Sequence, residues 1–206
     1  MINYNLIKEI LPLISNKQLE ELTKLEYILK EENTKVNLVS RKDIDFLFEH
    51  HILHSILVCK LINFENVRTV IDVGTGGGFP GLPISIYFDK ILFTLLDSKI
   101  KKINSIGNII NKLGVKNVNL VCDRVENIKC KYDVVLGRGV CCVDKFYTIT
   151  NHLLNDNGQI IYLNGVNDRV INGKNINVEY FNINKILDID FYSEKQVVLI
   201  KKKKIN

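Results

Sequence analysis

Residues Val70-Ile71-Asp72-Val73 run apolar into an acid, then open into Gly74-Thr75-Gly76-Gly77-Gly78-Phe79-Pro80-Gly81. A helix-compatible segment from Leu82 to Phe88 follows. Strand, tight turn and helix is the economical reading of that order. Glycines let the backbone take positive φ and leave room for a ligand against the main chain. The loop therefore reads as a site for a nucleotide-type cofactor, set in an α/β fold.

The rest of the chain agrees with such a fold. Residues 1–64 read as helices: Leu6, Ile10, Leu13 and Ile14 recur at helical spacing, as do Leu19, Leu22, Leu25, Ile28 and Leu29. Ser15 or Asn16 is placed to cap the second helix. A third helix is expected from about Asp43, with Asn37-Leu38-Val39-Ser40 as the connector before it. From residue 66 short β-rich runs alternate with helical ones. Expected strands are Thr69–Val73, Leu92–Leu96, Val118–Val121, Tyr132–Leu136 and Gln159–Leu163. Expected helices are Gly81–Tyr87, Lys99–Leu113, a short turn at Arg124–Ile128, and Asp144–Leu154. This alternation implies a mostly parallel, Rossmann-like sheet with helices on both faces. Two last strands, near Lys185–Asp190 and Gln196–Lys201, would form an antiparallel hairpin at one edge. The expected organisation is a helical extension over residues 1–64 and a cofactor-binding domain over 65–206, in one compact unit.

The glycine loop can be read in two registers. Gly76, Gly78 and Gly81 satisfy G-x-G-x-x-G, a weak signal for a dinucleotide on its own. Pro80 and Pro83 stand where a helix start would offer N–H groups to a pyrophosphate, and proline has none. The other register, Asp72-x-Gly74-x-Gly76-x-Gly78, fits the first motif of S-adenosylmethionine (SAM) methyltransferases. SAM has no phosphate, and its positive charge suits a carboxylate such as Asp72 nearby. Asp97 ends the next strand about 20 residues on, where an acid accepts from ribose hydroxyls; capping the helix that follows is the competing role. Cys122-Asp123-Arg124-Val125-Glu126 and Gly137-Arg138-Gly139 follow the third and fourth strands. Ligands of open α/β sheets bind beyond the carboxyl ends of the strands, where all these segments converge. A structural pairing of Arg138 with an acid stays open.

No apolar run reaches the roughly 18 residues of a membrane span, and Met1 to Lys8 lacks the pattern of a secretory signal. A cytoplasmic protein without a membrane partner is expected. With no heptad or large apolar stripe, a monomer is expected too. The cysteines at 59, 122, 130, 141 and 142 are odd in number and hold no Cys-x-x-Cys pair, which argues against a disulfide framework or a cysteine metal site. His50, His51 and His54 lack the carboxylate or cysteine set that would complete a metal site. The net charge of +5 is a mild bias toward acidic partners such as RNA. The run Lys201-Lys202-Lys203-Lys204 reads as a solvated tail.

Taken together, these segments resemble the bacterial glucose-inhibited division protein B family over nearly the whole length. The shared string includes Asn37-Leu38, His51-Ile52-Leu53 with Ser55, and Asp72-Val73-Gly74-Thr75-Gly76 through Phe79-Pro80-Gly81-Leu82-Pro83. It continues with Leu95-Leu96-Asp97-Ser98, Lys101-Lys102, Arg124-Val125-Glu126, Tyr132-Asp133, Arg138 and Val197-Val198-Leu199-Ile200-Lys201. The resemblance implies a class I SAM-dependent methyltransferase that methylates guanine N7 in 16S ribosomal RNA, so SAM is the cofactor and the RNA or the small ribosomal subunit the partner. It implies cofactor contacts at Gly74, Gly76, Gly78, Phe79, Asp97, Val125, Glu126 and Arg138. It implies RNA contacts at Lys101, Lys102 and Arg124, although a solvated helix face accounts equally for the two lysines.

The chain departs from the family pattern at His54, where an aspartate is usual, and at Gly137-Arg138-Gly139, where Ser-Arg-Ala is usual. It departs again at Asn164-Gly165, where Lys-Gly is usual, and it has no tryptophan. No general base is expected among the residues, because guanine N7 carries a lone pair and no proton. Neither an Asn-Pro-Pro-aromatic string nor a Pro-Cys nucleophile is present. Two rivals remain at this point: a non-catalytic RNA-binding or ribosome-assembly protein on the same fold, and an NAD-dependent oxidoreductase.

Overall fold

The computed structural model describes residues 4–168 and 175–203; Lys204, the end of the terminal lysine run, lies outside them. Helices α1 (Tyr4–Ile10) and α2 (Asn16–Asn33) open the chain. Ser15 caps α2 reciprocally: its Oγ accepts from Gln18 N, and Gln18 Oε1 accepts from Ser15 N. The Gln18 amide also donates to the carbonyls of Ile86 and Tyr87, which ties α2 to the sheet domain.

The third helix is not the continuous α-helix expected from Asp43. A 3₁₀ turn at Ile44–Phe46 and a π-helical stretch at Phe48–Leu53 precede α3 (His54–Leu61). The wider turn brings Glu49, His50, His51 and His54 to bear on the C-terminal segment and on the site. Tyr192 Oη donates to the Glu49 carbonyl, and His50 stacks on Phe191 at 3.7 Å.

The remaining elements are β1 (Thr69–Val73), α4 (Gly81–Tyr87), β2 (Leu92–Asp97), α5 (Ile100–Leu113), β3 (Val118–Cys122), β4 (Tyr132–Arg138), α6 (Val143–Thr150), β5 (Leu154–Gly165), β6 (Ile176–Asn182) and β7 (Lys195–Lys202). They form a seven-stranded sheet in the order β3-β2-β1-β4-β5-β7-β6. β1 to β5 are parallel, and β7 runs antiparallel to both its neighbours. Consecutive strand residues serve opposite faces. Val70, Leu95, Val134, Ile161 and Val197 join the core that includes α2, α3 and α5. Ile71, Leu96, Val135, Ile160 and Val198 join the core under α6. Such doubly buried strands explain the near-continuous apolar runs in the sequence.

The expected strand at Lys185–Asp190 is absent, and the edge strand lies earlier, at Ile176–Asn182. Ile176 and Val178 alternate with Asn177 and Glu179, an edge pattern with little buried surface. Ile183–Lys185 and Asp190–Tyr192 instead form 3₁₀ turns. Ile183 and Tyr192 are fully buried there, so the apolar residues of 183–192 pack on the helical core from turns rather than from a pleat.

Candidate functional site

Strand order reverses between β1 and β4, and the crevice at their carboxyl ends is where open α/β sheets bind ligands. Gly74, Gly76 and Gly78 take φ of 70°, 61° and 92°, so the loop after β1 winds through left-handed conformations that glycine adopts without strain. Asp72 is fully buried beneath it. Its Oδ2 accepts from Thr75 Oγ1 at 2.6 Å and from Gly81 N at 2.9 Å. Burial raises its carboxyl pKa to about 6, against the lowering effect of those two hydrogen bonds. Asp72 thus braces the loop from below rather than facing a ligand across it. A side chain on Gly81 would strike Leu95 and Asp72.

The loop spends its backbone donors inside the protein. Gly74 N and Thr75 N donate to the Leu96 carbonyl, Gly78 N and Phe79 N to the Thr75 carbonyl, and Gly76 N to Asp97 Oδ2 at 3.1 Å. Gly81 N is held by Asp72, and Pro80 has no N–H. A pyrophosphate would find few partners here, which disfavours a dinucleotide. Above Gly76 the space is open: a Cβ there would meet only the Gly74 carbonyl and Lys102 Nζ, each at 3.8 Å.

Asp97 is 8% exposed. Its Oδ1 accepts from Lys99 N at 2.9 Å, the residue just before α5, while Oδ2 holds Gly76 N, so it fixes both the approach to α5 and the loop without capping the helix. A carboxylate has about four acceptor positions, so capacity remains for ribose hydroxyls. Val125 is buried and Glu126 exposed, in a 3₁₀ turn directly after β3, and Arg124 is exposed beside them. Lys101 is exposed on α5, whereas Lys102 is half-buried and leans over the loop. The connector Leu38 lies against Gly77, and its backbone is pinned by Asn33 Oδ1, which accepts from Leu38 N and Val39 N.

Arg138 ends β4. Its Nη2 lies 2.9 Å from His51 Nδ1, and its Nη1 is buried without a partner. It pairs with a neutral imidazole, not with an acid. Burial first, then the Arg138 charge, pulls the His51 pKa down to about 3; burial pulls Arg138 down to about 10. His51 packs against Phe79, so loop, π-helical stretch and β4 meet at one point.

The departures at 137 and 139 have local causes. A side chain on Gly137 would strike the Phe146 ring, which stacks on Tyr162 at 4.3 Å. Gly139 has φ of 58°, left-handed backbone unsuited to alanine. Two further residues order this turn without having stood out in the sequence. Tyr162 Oη accepts from Val140 N and Cys141 N and donates to the Cys141 carbonyl, and Val140 packs against Gly74. The signal was a tyrosine inside an apolar strand run, whose hydroxyl needs a buried partner. The other two departures, His54 and Asn164, line one pocket beside Arg138.

The fit to SAM rests on three observations of the loop region: backbone donors turned inward, open space over Gly76, and spare acceptor capacity on Asp97. Among the described residues no cluster of His, Cys, Asp or Glu is placed to hold a metal, and no helix is long and apolar enough to cross a membrane.

Residues 18–188 match the family model of rRNA small subunit methyltransferase G (GidB). A relative of that name from Christiangramia forsetii is 34% identical over 95% of both chains. One from Flavobacterium psychrophilum is 37% identical over 91% of this chain and 92% of its own. The crystal structure of a SAM-dependent methyltransferase from Aquifex aeolicus superposes with a TM-score of 0.56 at 17% identity, over 75% of this chain and 91% of that one, a likeness of fold. The matched stretch runs from α2 past β6 and takes in the glycine loop, Asp97 and Arg138, so the chain belongs to the rRNA small subunit methyltransferase G family.

Proposed function

We propose that this protein transfers a methyl group from SAM to N7 of one guanine in the 16S RNA of the small ribosomal subunit. The observation that carries the reading is the glycine loop, closed to phosphate by its inward donors and open above Gly76 beside Asp97. Gly74, Gly76, Gly78 and Phe79 would cradle the cofactor, Asp97 would hold the ribose, Val125 and Glu126 would flank the adenine, and Arg138 would stand near the reactive end.

Held by Gly74, Gly76, Gly78, Phe79 and Asp97, SAM would supply a methyl on a sulfonium for in-line transfer to N7, in which the sulfur–carbon bond would break as the nitrogen–carbon bond formed and the positive charge would move to the guanine. N7 attacks with its own lone pair, so no residue has to remove a proton. What the protein does is hold two partners in line, and alignment alone carries a large share of such a barrier. Asp72 and Asp97 stiffen the loop from two sides. His51 holds the Arg138 guanidinium in one orientation. Lys101, Lys102 and Arg124 would take the phosphates of the RNA.

The test is a methylation map of small-subunit RNA from a strain with and without the gene. Loss of one N7-methylguanine, restored by the purified protein with SAM, is the expected result. An unchanged map overturns the assignment in favour of a non-catalytic role.

A further inference from the structure

A pocket of about 330 Å³ opens beside Arg138 at the carboxyl ends of β4 and β5, walled by His54, Asn164, Phe191 and Lys195. Its polar lining is unfinished. Arg138 Nη1 and Asn164 Oδ1 are buried with no hydrogen-bond partner. The His54 ring, 3% exposed, completes no hydrogen bond through either nitrogen, the His50 carbonyl being the backbone group that acts on it. Native interiors pair their buried polar atoms, so several unpaired ones around one cavity mark a missing polar guest.

The orientation of both key groups is fixed by their other ends. Arg138 Nη2 is committed to His51, which leaves Nη1, and arginine only donates. Asn164 Nδ2 donates to the Asp168 carbonyl at 3.1 Å, which leaves the amide oxygen, an acceptor, as the end without a partner. The two groups without a partner are thus a fixed donor and a fixed acceptor, beside a pocket that Asp43 and Lys195 also line.

We propose that this pocket receives the acceptor guanine, with Arg138 Nη1 donating to O6 and Asn164 Oδ1 accepting from N1–H and the neighbouring amino group. The inference rests on the guanine-N7 reading above and adds how the base is chosen. Going round the ring from N7, guanine offers an acceptor, O6, and then a donor, N1–H. Adenine offers the reverse, an amino donor and then the N1 acceptor. Adenine would set two donors and two acceptors against each other and leave buried groups unpaired, the costliest kind of mismatch. The rim suits the rest of a flipped-out nucleotide. Phe46, His50 and Phe191 form a stacked column with Phe46 53% exposed, a platform for a neighbouring base, and the Lys195 ammonium lies 5.2 Å over Phe191.

The experiment measures steady-state methylation of small ribosomal subunits from a strain lacking the gene, with SAM affinity of the same preparations by calorimetry. Asn164→Leu keeps the volume and removes the acceptor. It is expected to lower kcat/KM for the subunit about 10- to 100-fold, the scale of a lost base-edge contact, with SAM affinity unchanged. Where that variant does not fold, Asn164→Ala, which cannot overpack the site, carries the same expectation. An unchanged kcat/KM overturns the proposal. So does a fall in SAM affinity that matches the fall in kcat/KM, which would assign Asn164 to the cofactor. A wild-type protein that methylates no guanine overturns the functional reading itself, and this inference falls with it.

Discussion

Arg138 Nη2 stands 2.9 Å from His51 Nδ1, a guanidinium donating to an imidazole that burial keeps neutral. The bond fixes the tautomer: Nδ1 accepts, so the proton sits on Nε2, which is buried without a partner. With His51 at about 3 and Arg138 at about 10, neither changes charge across the neutral range. The pair is a permanent cation on a fixed mount, next to Phe79 and the glycine loop.

That arrangement predicts a stability profile. Unfolded His51 takes its proton near 6.5 and the folded one only near 3, so the unfolded state holds more protons in between. His51 therefore costs nothing above pH 6.5, and stability falls as pH drops toward 3, by up to about 1.4 kcal/mol per pH unit. Asp72 acts with the opposite sign: its folded pKa is raised from 3.8 to about 6, so its contribution is complete below 3.8 and lost as pH rises through 6. Asp72 is common to both proteins when His51→Gln is compared with wild type, and cancels. Urea unfolding at pH 7 and pH 5 should show a shallower acid loss in His51→Gln. Parallel losses would mean that His51 is not buried neutral.

Gly137 and Phe146 should be energetically coupled. The ring occupies the place a residue-137 side chain would need. Gly137→Ser is expected to cost about 1–3 kcal/mol by overpacking. Adding Phe146→Val should recover part of that loss, while Phe146→Val alone leaves a cavity and destabilises. Chemical denaturation of the two single variants and the double variant measures the coupling; simple additivity would contradict the contact.

Much of this was legible in the residues. The strands β1, β2, β4 and β5 stood out because each is buried on both faces over its apolar run, and the edge strand β3 because its residues are mostly apolar. The loop register followed from Pro80 and Pro83, and the inward donors of Gly74 to Gly81 agree with it. The edge strand at Ile176–Asn182 was not legible, because one-sided burial leaves it half polar, whereas Ile186, Leu187 and Ile189 imitate strand alternation while packing from turns. The π-helical stretch at Phe48–Leu53 was hidden for another reason: its apolar residues recur much as in an α-helix, and only the contacts of Glu49 and His51 reveal the wider turn. The placing of Asn164 beside His54 depends on β5 and the helical segment meeting across more than a hundred residues, which no local pattern records.

Gly76 and Gly139 separate backbone strain from occupied space. Both have positive φ, 61° and 58°, and alanine should cost each about 1 kcal/mol in stability. Nothing lies within 4 Å of a Cβ on Gly139, whereas a Cβ on Gly76 enters the open space beside Asp97. Equal shifts in unfolding free energy are expected, with SAM affinity falling at least about tenfold in Gly76→Ala, the scale of a small steric intrusion, and little in Gly139→Ala. Calorimetric titration with SAM reads the difference, and equal SAM affinities in the two variants would remove Gly76 from the cofactor surface.

Lys101 and Lys102 are neighbours in sequence with different surroundings, and their variants should separate. Lys101 is exposed on α5. If it meets an RNA phosphate, Lys101→Ala should lower the slope of log affinity against log salt by about 0.7 to 0.9, one counterion's worth, and leave SAM binding alone. Lys102 is half-buried, with Nζ 3.8 Å from where a Cβ on Gly76 would stand, so its charge bears on whatever lies over the loop. SAM carries a net positive charge, so removing this half-exposed ammonium in Lys102→Ala should tighten SAM about two- to fivefold, at roughly 0.5–1 kcal/mol, alongside any loss on RNA. Filter binding of small-subunit RNA at several salt concentrations, with SAM titrations alongside, distinguishes the two. If both variants move only the salt slope, Lys102 serves the RNA and its approach to Gly76 has no bearing on the cofactor; if neither moves it, the phosphate contacts lie elsewhere.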